Sequence, residues 1–140
     1  MEEAQGGGPN GVLICHPCKA FSVLQSLNFQ RMGFDAAFQL VELGLEHLRL
    51  AAAIMKWQTR RGKYVIYEQP DGARSWKEPE IEEILAIPEV MRTTCDMCQY
   101  GMCVDGRQLN KKTTGILTNS PEVATQSSRR CQGGHTHMGA

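Results

Sequence analysis

The chain has 140 residues, 41% of them hydrophobic and 21% charged, enough for one ordinary domain with a moderate core and too apolar for a disordered chain. Fifteen basic residues balance fifteen acidic ones, so no overall field marks a nucleic-acid binder. No apolar run is long enough for a membrane helix, and the opening "MEEAQGGGPNG" is acidic and then Gly-rich, unlike a signal peptide.

Six cysteines without a secretory signal are expected as reduced thiols of an intracellular protein, nuclear or cytoplasmic. Local basic clusters, such as Lys56 with Arg60 and Arg61, or Lys111 with Lys112, read as solvated helix ends and loops.

In chain order, residues 1–11 read as a flexible lead, with Gly6, Gly7 and Gly8 following no strand and so forming no phosphate loop. "GVLICHP" (11–17) is a short continuous apolar run ending at Pro17. It predicts a strand buried on both faces, with Cys15 packed in the core. From Asp35 to Arg60, Ala37, Leu40, Val41, Leu48, Ala51, Ala52 and Met55 recur at helical spacing. Asp35 would cap the helix and Gly62 would stop it. "KYVIYEQP" (63–70) predicts a second strand. Pro79 opens a short helix with Ile81, Ile84 and Leu85 on its apolar face, and Pro88 ends it. "VMRTTCDMCQYG" (90–101) predicts a third strand running into a loop, and "TTGILTNS" (113–120) a fourth. The remainder reads as a polar, Gly-rich tail carrying Cys131, His135 and His137. Strands alternating with helices predict parallel pairing, and the last two strands, joined without a helix, an antiparallel terminal pair.

Two constellations could carry chemistry. Cys15-x-x-Cys18 and Cys95-x-x-Cys98 both have metal half-site spacing, and Cys103, Cys131, His135 and His137 could add ligands, the alternative zinc set being Cys95, Cys98, Cys131, His135 and His137. Cys15, however, ends a strand rather than a tight metal-wrapping turn. The second constellation lies at the carboxyl ends of the predicted strands, where open α/β sheets build their sites. Cys18 follows the first strand, Glu68 ends the second, and Cys98 and Gln99 follow the third. A thiolate beside a carboxyl group that can be held protonated suits addition to an electron-poor ring.

"PCKAFS", "YEQP", "CQYG", "KKTTGILTN" and "CQGGHTH", in that order, resemble the motifs of DNA cytosine-5 methyltransferases of the phage and mobile-element type. The family's segments read roughly Pro-Cys with a following Phe-Ser, Glu-Asn-Val or Glu-Asn-Pro, Cys-Gln-Tyr-Gly, Lys-Pro-Thr, Thr-Asn and Cys-x-Gly-x-His. Here "EQP" stands for Glu-Asn-Val, and "KKTTG" lacks the proline.

The resemblance implies that Cys18 is the nucleophile adding to C6 of a flipped-out cytosine. It implies that Glu68 bonds N3 and the exocyclic amine, and that Pro17, Ser22 and Gln99 contact substrate. It also implies a partial Rossmann-like methyltransferase sheet over residues 12–119, with 120–140 a polar tail. The partner would be DNA and the methyl donor S-adenosylmethionine. The family's three strands and Gly-rich loop for that cofactor are expected ahead of the Pro-Cys strand, where this sequence has only the lead. These residues by themselves are therefore expected to be inactive, as a catalytic half or fragment. The first strand would be an apolar edge open to another chain completing the sheet. The alternatives are a small zinc-stabilised nucleic-acid-binding module and a non-functional mobile-element remnant.

Overall fold

The computed structural model of the chain describes residues 7–21, 28–103 and 105–138. Four strands, β1 (Gly11–Ile14), β2 (Tyr64–Pro70), β3 (Met91–Asp96) and β4 (Thr113–Thr118), form one mixed sheet. Their spatial order is β1-β2-β4-β3. Helices α1 (Phe34–Arg60), α2 (Pro79–Leu85) and α3 (Pro121–Gln126) accompany it. Short 3-10 turns lie at Lys19–Phe21, Arg74–Lys77 and Met97–Tyr100.

The pairing departs from expectation in one respect. β1 and β2 are parallel, with Gly11 opposite Tyr64 and Ile14 opposite Tyr67. β4 is inserted between β2 and β3 and runs antiparallel to both, so β3 is not a neighbour of β2. Burial explains the order. Thr114 to Thr118 are all buried, as suits an interior strand, whereas "MRTTCD" of β3 carries enough polar residues for an edge.

β1 differs too. Continuous hydrophobicity predicted burial on both faces, yet the strand is the other edge of the sheet and Leu13 is 68% exposed. The apolar run therefore marks an uncovered edge rather than an interior strand. Cys15, expected in the core, lies just past the strand and is exposed for the same reason.

Helix α1 crosses the face of the sheet that carries Val65 and Tyr67. Leu48, Ala51, Ala52 and Met55 recur at helical spacing and are buried there. Each large side chain so buried contributes about 2 kcal/mol. Its N-cap is Gly33 without a side-chain hydrogen bond, and Asp35 sits inside the first turn, where a carboxylate still favours the dipole. Gly62 ends the helix with φ of +66°, as its sequence position implied.

Ile81 and Ile84 of α2 join this core. Trp76 stands edge-on to Tyr67, donates its indole N–H to the Pro70 carbonyl at 2.9 Å, and carries the Arg92 guanidinium 4.0 Å over its ring. Gly115 lies beneath the same indole, and a Cβ there would come within 2.6 Å of it.

α3 falls within the stretch read as a polar tail. The start signals were present in "SPE": Ser120 caps the helix by accepting from Val123 N–H, Pro121 opens it, and Glu122 lies in its first turn. It lies against the opposite face of the sheet, where Thr93 donates to the Ser127 carbonyl at 2.9 Å.

Part of the expected lead is also held. The carbonyls of Gly8, Pro9 and Asn10 accept from Lys63 Nζ, Gln58 Nε2 and the Tyr64 N–H.

Candidate functional site

The parallel strands β1 and β2 bring two of the expected chemical groups to one end of the sheet. Residues 15–18 leave β1, and Glu68 stands on β2 one residue beyond Tyr67, the last position paired with β1. Side chains of β2 hold this loop in place. Gln69 Nε2 donates to the His16 carbonyl at 3.0 Å, and His16 Nε2 lies 2.8 Å from the Tyr67 hydroxyl. Burial lowers the pKa of His16 and raises that of Tyr67. The matching arrangement is a neutral imidazole that accepts from the Tyr67 hydroxyl and donates its Nδ1–H to the Pro17 carbonyl, 3.2 Å away.

Strand alternation turns Glu68 to the face opposite Tyr67, where its carboxylate is half-buried and meets Lys112 Nζ at 3.4 Å. The thiol against that carboxylate belongs to Cys15. Cys15 is exposed as a residue but partly desolvated at its thiol, which raises its pKa, and the Glu68 charge raises it further. Cys18 is half-buried, and its carbonyl accepts the Phe21 N–H of the turn at Lys19–Phe21. Pro17 is exposed. Gln99 sits in the Met97–Tyr100 turn, with its amide 3.9 Å from Cys98 Sγ. Ser22 lies outside the described residues.

The one Gly-rich run near a strand precedes β1 instead of leaving it. Gly8 there packs under Trp57, with 2.8 Å from an ideal Cβ to the indole, and its carbonyl is taken by Lys63. Gly8 is thus taken up by the end of α1.

A second group of chemical side chains gathers beyond β3. One ligand atom from each of Cys98, Cys131, His135 and His137 lies within 4.8 Å of all the others. Cys131 Sγ is 3.6 Å from His135 Nε2 and 3.5 Å from His137 Nε2, and the two Nε2 atoms are 3.0 Å apart. Burial pushes the Cys98 thiol's pKa up, and the Cys131 thiol adds to the shift.

Cys95 does not join this group. It sits on β3 opposite Thr114 and is buried. Burial and the neighbouring Asp96 charge raise its pKa. The Cys95-x-x-Cys98 spacing is therefore split. Strand β3 keeps Cys95 against the sheet, and the turn after it swings Cys98 toward the tail.

Sequence spacing gave five zinc candidates and the structure unites four. His-x-His after a Gly-Gly pair was the informative signal, since residues two apart in an extended segment point the same way. The contact between Cys15 and Glu68 had no signal in sequence, because it depends on strand register.

No protein-family model, curated protein or solved structure matches the chain. The likeness to cytosine methylases rests on the five motifs alone.

Proposed function

We propose that the chain is the catalytic half of a cytosine-5 methyltransferase-like module, with Cys18 as the nucleophile and Glu68 as the group that recognises the base. The observation that supports this reading is that Cys18 lies in the loop leaving β1, four residues beyond its end, and Glu68 lies on β2, its parallel neighbour, with Gln69 and Tyr67 holding the loop between them. Open α/β sheets build their sites in the crevice beyond the carboxyl ends of parallel strands, the end of the sheet from which this loop leaves.

The step these residues would perform is covalent addition. The Cys18 thiolate forms a bond to C6 of an unstacked cytosine, and the C5–C6 π pair moves to C5. Glu68 would enter this step protonated, donating its O–H to N3 and accepting from the exocyclic amine; passing that proton to N3 offsets the charge that the addition places in the ring and lowers its barrier. A base inside a duplex exposes neither ring face to a thiol, so the substrate is single-stranded or flipped. The methyl donor in the family is S-adenosylmethionine.

The test uses a single-stranded oligonucleotide carrying one 5-azacytosine, whose C6 accepts a thiol while its ring nitrogen takes the electron pair and a proton from water. Mass spectrometry is expected to find the adduct on Cys18. The adduct should vanish in Cys18→Ser, fall in Glu68→Gln and persist in Cys15→Ser. Attachment at Cys15, or no adduct at all, would overturn the assignment. Calorimetry of the same 140 residues with S-adenosylmethionine is expected to show no micromolar binding; heat at that affinity would place a cofactor site within them.

A further inference from the structure

The C-terminal segment is folded back with unusual economy of means. Asp96, at the end of β3, fixes where Cys131 stands. Its carboxylate accepts the Cys131 N–H at 2.8 Å and Arg130 Nε at 3.0 Å, and its N–H donates to the Arg129 carbonyl at 2.9 Å. Cys98 lies two residues beyond Asp96, so the same anchor brings the two thiols together.

The chain then reverses through Gly133 and Gly134, with φ of +82° and +80°, a conformation open to glycine and strained for other residues. The Gly133 N–H points at Cys131 Sγ from 3.4 Å. After the reversal His135 and His137 return over Cys131. Leu109 bridges to His137, and its carbonyl accepts the Met138 N–H at 2.9 Å, which holds this arm extended.

Tetrahedral zinc, with Zn–S of about 2.3 Å and Zn–N of about 2.0–2.1 Å, has S···N edges of about 3.6 Å and N···N edges of about 3.3 Å. The two S···N separations here, 3.6 and 3.5 Å, match those edges, and the N···N separation of 3.0 Å is slightly short. Thiolate and imidazole together favour zinc over hard cations, which take oxygen donors. N–H groups directed at both sulfurs, from Gly133 and the Gln99 amide, supply the outer-shell support such ligands use.

We propose that Cys98, Cys131, His135 and His137 bind one zinc ion. Four protein ligands close the coordination, so the ion is structural and activates no water. It staples the C-terminal segment to the turn after β3 and closes a loop that contains β4 and α3. The motifs "CQYG" and "CQGGHTH", which shaped the family likeness at the sequence level, then supply ligands rather than substrate contacts. None of the four ligands is a residue of the Cys18–Glu68 pair, and the zinc test reads no adduct, so the failure of either reading leaves the other standing.

The test uses the full chain purified without chelator. Metal analysis is expected to give about one zinc per chain. Replacement by cobalt should give the visible absorption of a tetrahedral thiolate–imidazole site. Cys131→Ser and His137→Asn should lose that absorption, and Cys95→Ser should keep it. Should the ligand variants fail to fold, the wild-type protein still decides. Chelation should expose residues 127–138 to protease, and added zinc should restore protection. A folded protein without zinc or cobalt absorption would overturn the proposal, as would a chelator that changes nothing or a Cys95→Ser variant as defective as Cys131→Ser.

Discussion

Three donors converge on the Asp96 carboxylate: the Thr113 hydroxyl at 2.6 Å, the Cys131 N–H and the Arg130 guanidinium. The residue is only 1% exposed. Burial by itself would raise its pKa, but the hydrogen bonds from Thr113, Cys131 and Arg130, with the Arg130 charge, outweigh burial and bring it to about 2. An unfolded aspartate titrates near 3.9, so folding is favoured by about 2 kcal/mol once the carboxylate is ionised in both states. Because the folded value is the lower one, this stability is present above about pH 4 and is lost as the pH falls towards 2. Urea unfolding of Asp96→Asn across that range should show a flattened acid limb and a loss of order 1–3 kcal/mol at neutral pH. An acid limb unchanged by the substitution would remove Asp96 from this role.

At the scale of elements, helix α1 meets the turn at Lys19–Phe21 through Gly44. A Cβ on Gly44 would lie 2.5 Å from the Ala20 Cβ and 3.1 Å from the Phe21 ring. Helix propensity favours alanine there by about 1 kcal/mol, but overpacking costs about 1–3 kcal/mol. Since the crowded atom is a short Cβ that cannot swing aside, overpacking should win. Gly44→Ala is expected to destabilise by about 1–2 kcal/mol in urea unfolding. The same turn carries the chain away from Cys18, so the variant should also slow adduct formation at that thiol. A raised unfolding temperature would mean that the turn yields instead.

At the scale of the whole molecule, β1 leaves one side of the sheet unpaired among the described residues. Leu13 is 68% exposed on it, and neither a proline nor a charged side chain blunts the strand. An unpaired apolar edge is in general a template for another strand. Leu13→Lys should reduce concentration-dependent light scattering while altering stability by less than about 0.5 kcal/mol, as exposed substitutions do. Scattering unchanged by the lysine would mean that association uses another surface.

The chain's own residues determined most of its elements. Apolar spacing from Leu48 to Met55 located α1. Gly62 and Pro79 marked a helix end and a helix start, and the β-branched run around Val65 located β2. These are local signals, set by backbone preference and side-chain period. Tertiary structure alone decided which strand is central, because "GVLI" and "TTGILT" are both apolar and only burial against neighbours separates an edge from an interior. It likewise decided which cysteines act together. Cys95 and Cys98 are close in sequence, yet a strand end parts them. Cys98 and Cys131 are distant in sequence, yet the Asp96 carboxylate draws the tail back beside the turn and unites them.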